Sequence, residues 1–146
     1  MIGGRRARRW ATMERMVTEL PWSEADAELA LINVRRVCLD LPETTEKLSH
    51  GSPTFFVKKS FVMFHDDHHG DGRLAIWCAA PPGAQELMVE SEPDRFFVPP
   101  YVGHRGWLGV RLDLDVDWDE VAAVIEEAYR CVAPARALRG LDSERG

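Results

Sequence analysis

Cysteine is scarce in this 146-residue chain and poorly placed for chemistry: Cys38, Cys78 and Cys131 are odd in number, far apart and set among apolar neighbours. That pattern excludes a disulfide framework and a C-x-x-C metal knuckle, and it predicts buried, reduced thiols in a cytoplasmic protein. Apolar runs of the roughly 18 residues that a membrane span needs are also missing. After Arg9 no apolar stretch of signal-peptide length follows, so the Arg-rich start reads as neither a secretory nor a twin-arginine signal. The sequence lacks G-x-S-x-G, a P-loop, H-E-x-x-H and a dinucleotide fingerprint, and no nucleophile stands at a defined spacing from His50 or His104. No catalytic residue and no cofactor is therefore assigned, and the chain is not read as an enzyme.

An excess of basic charge is absent as well. Eighteen Lys and Arg face 24 Asp and Glu, for a net charge of -6. The first 22 residues hold five Arg against Glu14 and Glu19, which leaves 13 basic and 22 acidic residues, or -9, for positions 23 to 146. Residues 1–22 read as a disordered Arg-rich tail, 23–135 as one domain and 136–146 as a frayed end.

What is present is a clear succession of elements. Ser23 is placed to cap a helix, with Asp26 as the capping-box acid and Ala27, Ala30, Leu31, Val34, Val37, Cys38 and Leu41 on one stripe before Pro42. A polar linker from Glu43 to Gly51 leads to three β-type runs, Thr54 to Val57, Phe61 to Phe64 and Arg73 to Cys78. Pro81-Pro82-Gly83 then precedes a short helix carrying Ala84, Leu87 and Met88. The stretch from Asp94 to Arg111 concentrates aromatics, a Pro pair and glycines, and so predicts a shaped corner running into a strand, with Pro100, Gly106 and Trp107 as structural residues. In that strand Leu108, Val110 and Leu112 alternate with Trp107, Gly109 and Arg111. Asp117 caps the last helix, whose stripe runs from Trp118 to Val132. The order predicts an α+β two-layer sandwich, an antiparallel sheet with helices on one face, in the sequence α-β-β-β-α-β-β-α.

Ser49-His50-Gly51-Ser52-Pro53-Thr54-Phe55, Arg95-Phe96-Phe97-Val98-Pro99-Pro100-Tyr101-Val102-Gly103, Gly106-Trp107-Leu108-Gly109-Val110-Arg111-Leu112-Asp113 and Asp117-Trp118-Asp119-Glu120-Val121 occur in that order. Together they resemble the MmcQ/YjbR family over about Leu31 to Leu138. The resemblance implies a CyaY-like, frataxin-resembling fold and a DNA-binding protein whose strand hairpins look like a double wing. It carries no catalytic residues to this chain.

On that reading Lys58, Lys59, His104, Arg105 and Arg111 are the candidate contacts to phosphate, weak and without sequence preference. The acidic balance of the folded part argues against it. The alternative is a non-enzymatic peptide or protein interaction module, with Trp77 and Trp107 forming an apolar patch on the open sheet face and a second copy of the chain among the candidate partners. A monomer is the simpler expectation. The His65-Asp66-Asp67-His68-His69-Gly70-Asp71 run has metal-ligating residue types but no fixed spacing, so it reads as a wet hairpin loop and not as a metal site. An acidic iron-binding ridge is not expected, because Arg35 and Arg36 interrupt the acids of the first helix.

Overall fold

The computed structural model describes residues 20–146. The predicted disordered tail lies outside them for residues 1–19, and its last residues are part of the fold. Trp22 is buried and its Nε1 donates to Asp66 Oδ1 at 2.8 Å.

Helix α1, Glu24–Leu39, starts as the sequence requires: Ser23 accepts from the Asp26 amide, and Asp26 accepts from the Ser23 amide. It presents Ala27, Ala30, Val34 and Cys38 to the core. Strand β1, Thr45–Ser49, occupies what reads as a linker in the sequence. It pairs with β2, Ser52–Val57, across a two-residue turn in which His50 (φ 52) and Gly51 (φ 82) are both left-handed, the conformation that a tight hairpin needs. As an exposed edge strand with polar residues, β1 has no apolar alternation to announce it.

Lys58 (φ 72) turns the chain into β3, Lys59–Asp66. Phe55 pairs with Val62 and Phe56 with Ser60, so Phe61 is an extra residue in β3. This bulge lets Phe61 lie edge-on against Tyr129, with ring centroids 5.6 Å apart. A short 3-10 turn, His68–Gly70, leads to β4, Leu74–Cys78. Helix α2, Ala84–Ser91, and strand β5, Phe96–Phe97, follow. The corner contains a second 3-10 turn, Gly103–Arg105, and delivers β6, Leu108–Arg111. The six strands form one antiparallel sheet in the order β1-β2-β3-β4-β6-β5.

Asp117 caps α3, Trp118–Val132, by accepting from the Asp119 and Glu120 amides. Of residues 136–146, expected to fray, all but the C-cap Gly146 belong instead to a helix, α4, Ala135–Arg145. Ala137 and Leu141 are fully buried, the Tyr129 hydroxyl donates to Pro42 O at 2.8 Å, and Arg145 reaches Glu126 at 2.6 Å. Burial and cross-links to α3 hold this segment, which its own small, charged sequence would not.

Sheet register assigns the two faces. Phe55, Val62, Phe64, Ile76, Leu108 and Val110 share the side covered by the helices, and Arg35 of α1 grips Glu46 of β1 through two bonds of 2.6 and 2.7 Å. Ser52, Thr54, Met63, His65, Ala75, Trp77 and Gly109 share the other. Among the described residues no helix is long and apolar enough to cross a membrane. Of the three thiols Cys38 and Cys78 are buried as expected, while Cys131, on the outer side of α3, is exposed.

Candidate functional site

Charge is sorted between the two layers. No Asp or Glu occurs from Lys47 to His65, from Arg73 to Gln85 or from Arg95 to Leu112, which together contain β2, β4, β5, β6 and nearly all of β3. The helices hold carboxylates instead, such as Glu24, Asp26 and Glu28 in α1 and Asp119, Glu120, Glu126 and Glu127 in α3. The acidic total therefore belongs to the helices and the connecting loops and not to these strand segments. Lys47, Lys58, Lys59 and Arg105 are exposed and make no ion pair among the described residues.

The structure brings some of the candidate basic residues together. The β2–β3 turn, the end of β4 and the start of β6 lie at one end of the sheet, as the Ala79 amide bonded to Phe61 O and the pairing of Cys78 with Leu108 require. Lys58, Lys59, His104 and Arg105 all belong to that end. Arg111 does not: it pairs with Ala75 at the opposite end, and Asp113 holds its guanidinium through bonds of 3.1 and 2.6 Å. That neighbour answers its charge and raises the guanidinium pKa further.

The tryptophans occupy the face without covering helices, yet neither is an exposed anchor. Trp77 is 2% exposed and Trp107 3%. The corner folds back over the sheet to cover them. Gln85 Nε2 donates to Gly103 O at 2.8 Å and to Trp107 O at 2.6 Å, Gly106 supplies a left-handed residue (φ 84), and the Arg105 guanidinium sits 5.1 Å from the Trp107 ring centre. Gly109 has no side chain because the Phe97 ring lies where its Cβ would be, and the Arg73 guanidinium caps that ring at 4.0 Å. The expected apolar patch is thus replaced by a covered face with one opening.

That opening is a cleft of about 560 Å³ lined by Ser49, His50, Ser52, Met63, His65, His68, His69, Trp77, Tyr101 and Val102. The β1–β2 turn forms one wall, the His68–Gly70 turn and the corner form the others, and Met63, His65 and Trp77 form the floor. His65 is 7% exposed, with Nδ1 3.1 Å from Ser52 Oγ and its ring centre 3.8 Å from that of Trp77. His68 stands edge-on to His65 at 4.6 Å, to Trp77 at 4.7 Å and to Tyr101 at 6.1 Å. Two buried ring nitrogens, His65 Nε2 and Trp77 Nε1, have no hydrogen-bond partner among the described residues.

Burial, reinforced by the nearby His68 and His69, lowers the His65 pKa to about 4. Burial and His69 also lower that of His68, against the pull of Asp71. His65 is therefore a neutral ring at physiological pH. A base so weak, with nothing to orient its second nitrogen, is poorly suited to activating the Ser52 hydroxyl. Among the described residues no group of three His, Cys, Asp or Glu is arranged to hold a metal ion. The site offers aromatic surfaces, neutral hydrogen-bonding atoms and, on the same layer, unpaired cations.

Sequence reasoning placed Trp77 on this face but treated His65 to Asp71 as a wet loop and left Ser52, Met63 and Tyr101 unassigned. Alternation along β3 was the available signal, since it puts His65 on the face of Met63.

The YjbR family model matches residues 39–131, which include β1 to β6 and most of α3. The chain belongs to the YjbR family. The crystal structure of Deinococcus radiodurans protein DR2400, described by the family domain DUF419, superposes on this YjbR chain with a TM-score of 0.58 at 20% identity. The match covers 70% of this chain and 77% of that one, and at such identity it speaks for the fold alone. A search of curated proteins finds no match.

Proposed function

We propose that this YjbR protein is a DNA-binding protein that grips the phosphate backbone weakly and without sequence preference through its strand layer. The observation that carries the reading is the charge sorting: β2, β4, β5 and β6 are free of carboxylates, and β1 and β3 hold one each, Glu46 and Asp66, while the helices and loops carry the rest. Lys58 and Lys59 at the β2–β3 tip form one contact, and Arg105 with His104 beside it forms a second at the same end of the sheet. Arg111 is left out of the set because Asp113 already neutralises it. A net negative chain can still present a positive surface, and phosphate contact depends on the local field more than on the total. We read the protein as a cytoplasmic monomer, in line with its three unpaired cysteines.

Duplex DNA titrated into the full chain at several salt concentrations tests the reading. Three full cations give a slope of log K against log salt of roughly -3. The Lys58→Glu, Lys59→Glu double variant should lose most of the affinity and flatten the slope. Wild-type binding by that variant, or an affinity indifferent to salt, overturns the reading, and the second result would favour a peptide or protein partner instead.

A further inference from the structure

We propose that residues 1–19 dock on their own fold, in an apolar, acid-rimmed groove between the start of α1 and the connection from β6 to α3. The proposal stands apart from the DNA reading above and uses none of its contacts.

The groove has a volume of about 290 Å³, and its apolar lining includes Pro21, Trp22, Leu29, Leu114, Val116 and Trp118. Leu29 is 58% exposed and Leu114 41%, so large aliphatic side chains meet water there. Pro21 and Trp22 belong to the wall, and the bond from Trp22 to Asp66 fixes their place, so the residues before them leave the fold at the rim of the groove. Each extended residue advances at most about 3.3 to 3.6 Å, so a handful of the nineteen suffice to cross an opening of this size. A tethered segment is presented at an effective concentration on the order of millimolar, so a weak fit is enough to hold it.

Charge selects this occupant. The two stretches that make most of the groove, residues 20–34 and 112–129, hold three and seven carboxylates and no Lys or Arg. Glu24, Glu28, Asp115 and Asp119 make no ion pair among the described residues. Residues 1–19 bring Arg5, Arg6, Arg8, Arg9 and Arg15 against Glu14 and Glu19, with Trp10, Met13, Met16 and Val17 as apolar side chains between and beyond them. They therefore match both the floor and the rim. A second copy presenting the same acidic stretches would meet like charge.

Trypsin, which cuts after Arg, tests the docking on the full chain, with a synthetic peptide of residues 1–19 as the unprotected reference. Cleavage from Arg5 to Arg15 should be about tenfold slower in the chain than in the peptide. The Leu29→Gln, Leu114→Gln double variant changes two exposed positions and should raise the rate to that of the peptide. Salt at about 1 M should do part of the same in the wild-type chain, a readout that needs no variant to fold. A chain cut as fast as the peptide overturns the proposal. So does protection that the folded double variant keeps, which would put the segment elsewhere on the fold, and so does protection that rises with chain concentration, which would put it in the groove of another copy. No DNA enters these digests, so either result leaves the phosphate reading standing. If only added duplex DNA slows the cleavage, residues 1–19 are a nucleic-acid arm and the docking falls.

Discussion

The two faces of the sheet are built by different rules. On the helix side Phe55, Val62, Ile76, Leu108 and Ile125 are fully buried, the Tyr129 hydroxyl has its carbonyl partners, and burial pushes the Cys78 thiol up to about 12, so it is inert. On the far side imidazoles crowd an indole, two ring nitrogens lack partners and three lining residues are left-handed. The difference separates a side packed throughout from a side that holds a cleft.

That division can be broken by substitution. Phe61→Ala, which removes the bulged ring from under Tyr129, should cost about 3 to 5 kcal/mol in urea unfolding while DNA binding per folded molecule stays unchanged. A loss of binding without a loss of stability would show that the two faces are not separate.

The second-largest effect belongs to His65. Its folded pKa of about 4 lies below the ordinary 6.5, so the unfolded chain binds the extra proton. The stability is fully present above about pH 6.5 and is lost as pH falls toward 4, by up to ~3 kcal/mol. Urea midpoints measured from pH 7 to 4 for wild type and His65→Gln should converge at the acid end, and parallel curves would contradict the burial argument.

A smaller effect is expected at the corner that covers the tryptophans. At Gly106 a Cβ meets no atom within 4 Å, but φ 84 strains any side chain, a β-branched one most. Gly106→Val should cost about 2 kcal/mol and lower the melting temperature by several degrees. An unchanged melt would mean that the corner does not hold this conformation. Least of all, Tyr101→Gly should leave stability equal or raise it by less than about 1 kcal/mol, because released strain offsets the added chain freedom. A marked destabilisation would show that Tyr101 packs the corner in spite of its exposure.

Periodicity, caps and strand alternation are local properties, and they were legible in the chain itself. Ser23 and Asp26, Asp117, the α1 and α3 stripes and the alternation from Trp107 to Leu112 all appear where their spacing places them, and with the Phe96 to Gly103 motif they are enough for the fold class and the family. Local spacing was silent where a segment is held by something distant. Strand β1 owes its conformation to pairing with β2, and α4 owes its order to burial against α3 and Pro42. The site belongs to this second kind. Registers between β2, β3 and β4 bring Ser52 to His65 and His65 to Trp77, and the returning corner adds Tyr101 from far along the chain. Tertiary structure alone decided that both tryptophans are covered and that Arg111 is matched by Asp113. A side chain's exposure and the charges beside it are set by what packs over it, and sequence spacing does not encode that.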